Sequence, residues 1–90
     1  MNTPPPQVVI YSKPGCHLCD VAKAIVESCR AEHEFELVVR DISLDAALEE
    51  KYRNDVPVIC VGQREVARHF IRKDALLRAL ADATDATRRP

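Results

Sequence analysis

Two thiols set three residues apart, Cys16 and Cys19, are the residues of this chain best suited to chemistry. Cysteine reacts as its thiolate, so a nucleophilic cysteine needs electropositive surroundings to act near neutral pH. The mouth of a helix supplies them, because its first backbone N–H groups lack intrahelical partners and favour negative charge. A second cysteine one turn later stands about 5–6 Å away at Cβ, and modest local adjustment then permits a disulfide. The chemistry open to such a pair is thiol–disulfide exchange. Cys16 attacks a substrate disulfide to give a mixed disulfide, and Cys19 resolves it, leaving the protein oxidised.

Metal chemistry is the rival use of the same thiols. A structural zinc normally takes four protein ligands, and the chain has one Cys-x-x-Cys. A [2Fe–2S] cluster bridged between two protomers stays open, because each needs to supply only one or two thiolates. A third reading is a binding module that keeps the fold without turnover. Lys13 and His17 flank Cys16. Lys13 either steadies the thiolate or binds a substrate carboxylate, against the plainer reading of a solvated lysine before a turn. His17 either tunes the thiol pair or has no essential role. Asp20 is a first-turn acid favoured by the helix dipole. Cys29 and Cys60 lie in apolar stretches and read as buried small hydrophobes, although Cys60 follows Pro57 closely. His33 and His69 have no partners at metal-ligand spacing and read as surface or loop residues.

The elements that must position these thiols follow from the apolar pattern. Residues 8–11 are a continuous β-favouring apolar run, which suits a strand buried on both faces. Ser12-Lys13-Pro14-Gly15 punctuates it. From residue 16 to about 30 the period becomes helical, with Leu18, Ala22, Ile25 and Cys29 on one stripe that Val21 and Val26 widen. Residues 35–39 predict a second strand. Ser43 is the expected cap of a helix over about 44–53, with Leu44, Leu48 and Tyr52 on one side. Val56-Pro57 imposes an extended conformation. Residues 58–61 and 64–68 around Gly62-Gln63 predict a hairpin, and about 73–81 a last helix using Leu76, Leu77 and Leu80. Residues 1–6, with three prolines, are expected to form a flexible leader, 7–82 one domain and 83–90 a flexible tail. The order β-α-β-α-β-β-α requires a right-handed crossover first, with the hairpin adding antiparallel strands. It describes an α/β fold of the thioredoxin type, a mixed four-stranded sheet with helices on both faces.

Tyr11-Ser12-Lys13-Pro14-Gly15-Cys16-His17-Leu18-Cys19 resembles the active-site segment of the glutaredoxins, and Val56-Pro57 resembles their second landmark. The match extends through the element order over nearly the whole ordered chain. The resemblance implies a redox-active Cys16–Cys19 pair and a cis Pro57 beside it. It also implies that the Val56 backbone presents unpaired groups to an incoming extended thiol peptide. Two departures bear on glutathione. Typical members have a Gly-Gly, then a polar and an acidic residue, after the hairpin, where the γ-glutamyl end of glutathione is held. Here that stretch is Val66-Ala67-Arg68-His69-Phe70-Ile71-Arg72-Lys73-Asp74. The usual Thr before Val-Pro is Asp55, whose charge opposes an anionic tripeptide unless Arg53 or Arg68 offsets it. The glutathione site is thus half present, as in a divergent group with Cys-x-x-Cys and no glycine pair.

Composition narrows the partners. Ninety residues, 47% hydrophobic and 30% charged, are those of one ordinary globular domain. Thirteen Lys and Arg against fourteen Asp and Glu leave a net charge of -1, without the footprint of a nucleic-acid binder or a basic patch for membranes. No apolar run approaches the ~18–20 residues of a membrane span. No secretory pattern opens the chain, so the cytoplasm is the expected location, and reducing conditions there argue against a structural disulfide framework. A monomer is expected, with a disulfide-containing protein or glutathione as partner. No organic cofactor is required. Glutathione as reductant or co-substrate and a thioredoxin reductase system both remain open as electron sources.

Overall fold

A computed structural model of the chain describes residues 4–88, with side chains as far as Thr84. Strand β1 (Gln7–Ser12) leads to helix α1 (His17–Ser28), which tightens into a 3-10 turn at Cys29–Ala31. Strand β2 (Glu36–Asp41), a 3-10 turn (Ile42–Leu44) and helix α2 (Ala46–Tyr52) follow. Strands β3 (Val58–Val61) and β4 (Arg64–Arg68) precede the final helix, α3 (Lys73–Arg88). The four strands lie in the order β2-β1-β3-β4. β1 runs parallel to β2 and antiparallel to β3, and β3 pairs antiparallel with β4. This is the expected mixed α/β sheet.

Strand β1 is apolar throughout because both of its faces are covered. Val8 and Ile10 enter one core with Ile59 and Val61 of β3, Ala22 and Val26 of α1, and Leu76 and Leu80 of α3. Val9 enters a second core with Val58 and Cys60 of β3, Ile42, Tyr52 of α2, Val56 and Cys19. Alternation along each strand therefore sorts its side chains between two apolar clusters, α1 and α3 on one face and α2 on the other. The β3–β4 hairpin turns at Gly62, whose φ of 61° lies in the left-handed region that favours glycine in tight turns. No helix among the described residues is long and apolar enough to cross a membrane.

The structure corrects three local expectations. Helix α2 begins two residues later than the pattern predicts, and Asp45 rather than Ser43 caps it. The Asp45 carboxylate accepts from the N–H groups of Ala47 at 3.0 Å and Leu48 at 3.3 Å. Ser43 instead donates its hydroxyl to Asp41 at 2.6 Å within the preceding 3-10 turn. Leu44, expected on the inner side of α2, therefore lies outside the helix and is 85% exposed. Val21 does not widen the buried stripe of α1, for it is 41% exposed while Val26 is fully buried. Finally, α3 runs to Arg88 rather than about residue 81, beyond the last of its buried leucines. Residues 1–3 of the expected leader and 89–90 of the expected tail lie outside the described residues.

Capping gives the first test. Asp45→Ala removes the acceptor of two otherwise unpartnered N–H groups and should cost about 1 kcal/mol. Ser43→Ala should stay within about 0.5 kcal/mol. Urea unfolding of the two variants measures the difference, and the reverse order would contradict this assignment of the cap.

Candidate functional site

The site is built where β1 stops. Ser12, 8% exposed, closes the strand level with Asp41 of β2. Lys13, Pro14 and Gly15 then form an exposed turn, with Gly15 at a φ of 76° reversing the chain. Cys16 follows as the N-cap of α1, its backbone extended at φ −88° and ψ 107°. Its Sγ accepts from the Cys19 N–H at 3.1 Å. A sulfur thus occupies the capping place that a serine or aspartate oxygen commonly fills.

Cys16 and Cys19 are joined as a disulfide, with Cα atoms 5.2 Å apart. Their exposures differ. Cys19 is 2% exposed and belongs to the second core, whereas Cys16 is half-buried at its edge. An incoming thiolate therefore reaches the sulfur of Cys16. In the reduced protein the same N–H and the helix N-terminus favour negative charge on Cys16. Leu18 is half-buried, and His17 and Asp20 are exposed in the first turn. The His17 ring makes no hydrogen bond or ion pair among the described residues.

Val56 and the disulfide share the second core. The Val56–Pro57 peptide is cis, as the resemblance implied. The N–H and C=O of Val56 have no hydrogen-bond partner among the described residues. Lys13 is brought to the same end of the sheet, where its Nζ donates to the Arg53 carbonyl at 3.3 Å, at the C-terminus of α2. A cation there also meets the negative end of the helix dipole. The four residues Lys13, His17, Val56 and Pro57 thus gather around Cys16 from the β1–α1 turn, α1 and the segment before β3.

Asp55, next to Val56 in the chain, belongs to an ion-pair hub that the sequence pattern only partly revealed. Asp55 is held by Arg68 at 2.9 Å, so Arg68 rather than Arg53 offsets its charge. Arg68 also binds Glu65 through two hydrogen bonds, at 2.6 and 2.9 Å, and lies 5.9 Å from the centre of the Tyr52 ring. The hydrogen bond from Arg68 holds the Glu65 carboxyl below its ordinary range, and the same bond raises Arg68. Tyr52 packs on Tyr11 of β1, with ring centres 4.9 Å apart. His69, expected as a plain loop residue, has a φ of 66° and donates its backbone N–H to the Pro57 carbonyl at 2.7 Å. Nothing in the local sequence marks that role, beyond the general tolerance of His for the left-handed region.

The remaining thiols are sheltered. Burial pushes the Cys29 thiol up, and burial followed by the nearby Glu65 charge pushes the Cys60 thiol up. Cys60 lies opposite Val9 of β1, two residues inward from the end of the sheet that carries the disulfide. Neither is disposed to react.

Taken together, sheet order, crossover and a Cys-x-x-Cys disulfide at the mouth of the first helix define a protein of the thioredoxin fold. A mutant thioredoxin from Halobacterium salinarum NRC-1 superposes with a TM-score of 0.62, over 88% of this chain and 74% of that one. At 18% identity that likeness concerns the fold alone. Within this class, the chain belongs to the family described as a glutaredoxin-like domain (DUF836), whose family model matches residues 7–81. It is similar to a glutaredoxin-like protein, the YDR286C homolog of Dictyostelium discoideum, with 32% identity covering 73% of this chain and 67% of that protein. Among solved structures it is similar to protein Ne2328 from Nitrosomonas europaea, at 28% identity and a TM-score of 0.76, covering 89% of this chain and 96% of that one. The X. campestris protein XcR50 matches at 35% identity and a TM-score of 0.63, over 84% of this chain and 96% of that one.

The exposure pattern makes a direct prediction for the reduced, folded protein. A pulse of iodoacetamide at neutral pH should modify Cys16 first and leave Cys29 and Cys60 unmodified until the chain is unfolded. Peptide mass mapping after the pulse reads this out. Early labelling of Cys60 would contradict the sheltering described here.

Proposed function

We propose that this protein is a small thiol–disulfide oxidoreductase that works through a Cys16–Cys19 dithiol/disulfide couple. One observation carries the reading: the reachable sulfur, Cys16, caps the helix and accepts the Cys19 N–H, while Cys19 lies buried directly behind it. In the reduced form the Cys16 thiolate attacks one sulfur of a substrate disulfide. A new Cys16–substrate S–S bond forms as the substrate S–S bond breaks, and the other substrate sulfur leaves as a thiolate and takes a proton. Cys19, losing its proton, then attacks Cys16 Sγ. The intramolecular disulfide forms and the second substrate thiol departs. Two electrons and two protons have passed to the substrate, and two thiol equivalents from glutathione or a dithiol reductant of the thioredoxin reductase type restore the protein.

Lys13, His17, Val56 and Pro57 bind the incoming thiol in this reading. Lys13 supplies positive charge at the mouth of the site, and the free N–H and C=O of Val56 offer an extended substrate segment one rung of a β-ladder. The Arg68–Asp55 pair removes the charge that would otherwise oppose an anionic thiol such as glutathione. The reading places the protein in the maintenance of thiol balance in the cytoplasm, as a monomer with no resident cofactor.

Equilibration of the reduced protein in a graded glutathione redox buffer, read by intact mass after acid quenching, tests this. The expected result is a clean loss of two hydrogens, as two protons and two electrons passed to glutathione disulfide, with a midpoint between about −200 and −270 mV, the span from glutaredoxins to thioredoxin. A stable glutathione adduct without the intramolecular bond would instead favour a cluster carrier or a binding module. Cys16→Ser should abolish disulfide reduction, and Cys19→Ser should accumulate mixed disulfides with protein substrates. Free turnover of protein disulfides by Cys19→Ser would overturn the two-cysteine mechanism.

A further inference from the structure

Phe70 is 71% exposed, and a single exposed aromatic is ordinary in itself. Its backbone is not. The Phe70 N–H donates to the Arg68 carbonyl at 2.7 Å across His69, whose φ is 66°. A bond from residue i+2 to residue i around a positive φ is the strained form of γ-turn, which persists only where its surroundings enforce it. The enforcing contact is the bond from the His69 N–H to the Pro57 carbonyl at 2.7 Å. The turn that presents Phe70 is therefore fastened to the residue beside the disulfide.

Strand register fixes where this occurs. In β3–β4, Val58 pairs with Arg68 and Ile59 with Ala67. One step further sets Pro57 against His69, the bond just described, and the ladder ends there because the chain turns at His69 into Phe70. In β1–β3, Tyr11 pairs with Val58, so Lys13 follows β1 at the same end of the sheet at which Val56 and Pro57 precede β3. The end of the sheet beside Cys16 thus carries a cation at Lys13, an unpaired backbone at Val56 and, one residue past the contact with Pro57, an exposed aromatic at Phe70.

We propose that Phe70 is a specificity-determining contact that takes an apolar side chain next to the cysteine of an extended polypeptide disulfide. The unpaired N–H and C=O of Val56 argue for this occupant, because both are satisfied at once by the backbone of an extended strand. Side chains of a bound strand alternate between its two faces, and those on the face turned to the β4–α3 turn meet Phe70, which that turn leaves exposed. Burying that side chain against the ring adds apolar contact that a small disulfide without side chains cannot make. The inference rests on the oxidoreductase reading above and deepens it by naming the substrate class.

The test compares two extended peptide disulfides that differ only in Leu or Ser beside the cysteine. Both are assayed with the full chain as wild type, Phe70→Ser and Phe70→Leu. The wild type should prefer the Leu peptide through a lower KM. Phe70→Ser should reduce the Leu-over-Ser ratio of kcat/KM roughly five- to ten-fold, the scale of one partial apolar contact, and Phe70→Leu should restore most of it. A ratio between substrates is not moved by a general loss of folded protein. An unchanged ratio in Phe70→Ser, with both peptides turned over, would overturn this inference and leave the oxidoreductase reading intact. Wild-type protein inert toward both peptides and toward bis(2-hydroxyethyl) disulfide would overturn both.

Discussion

Strand β1 is covered on both faces and hydrogen-bonded on both edges, and the position of every site residue depends on that confinement. Val8 and Ile10 are fully buried on one side and Val9 is 5% exposed on the other, while β2 and β3 flank the strand. A strand held this way cannot slip by one residue, because slippage would exchange the side chains of the two cores. Its C-terminal end is accordingly fixed, and so is the point at which the chain turns through Gly15 into α1. The parallel partner β2 requires a crossover, and α1 is that crossover. The cap of α1 must therefore stand at the end of the sheet, which is where Cys16 lies.

Confinement of β1 also produces the asymmetry between the two thiols. Helix α1 and the 3-10 turn that follows it lay Ala22, Val26 and Cys29 into the core shared with α3. Cys19, a turn earlier, falls at the boundary and enters the other core with Val9, Ile42 and Val56. Cys16, at the cap, is only partly covered. One sulfur is then reachable and the other is not, a difference set by where a helix begins relative to a sheet. Burial likewise raises the thiols of Cys60, in the same core as Cys19, and of Cys29, in the other core.

Much of this was legible in the residues. The apolar run in β1, the hairpin at 58–68 and the position of Cys16 at a helix mouth follow from periodicity, turn chemistry and punctuation by Lys13-Pro14-Gly15. The sequence does not decide the cap of α2, because Ser43 and Asp45 are both good caps two residues apart. The choice between them is tertiary: Asp41, at the end of β2, captures Ser43 and leaves Asp45 to start the helix. The apolar pattern does not mark the end of α3, because its buried leucines stop at Leu80 while a helix already anchored on the core can extend through polar residues. Val21 shows the complementary case, for its spacing fits the apolar stripe yet it falls on the solvent side.

The rim formed by residues 68–70 was the least legible part, because its logic lies in contacts between distant segments. Arg68 is the clearest case. It reaches back thirteen residues to Asp55 while holding Glu65 on its own strand and lying beside Tyr52. Each of these ion pairs is partly exposed, and alone each is worth little to stability. Their joint effect is geometric. They hold the end of β4 against the segment that leads into Val56 and Pro57, and the His69–Pro57 bond completes the attachment. A strained turn at His69 can persist there because its flanks are fixed on both sides, by β4 before it and α3 after it. Charge neutralisation at Asp55 and presentation of Phe70 are thus two consequences of one hub. The surface beside the disulfide is shaped by residues that never touch its sulfurs.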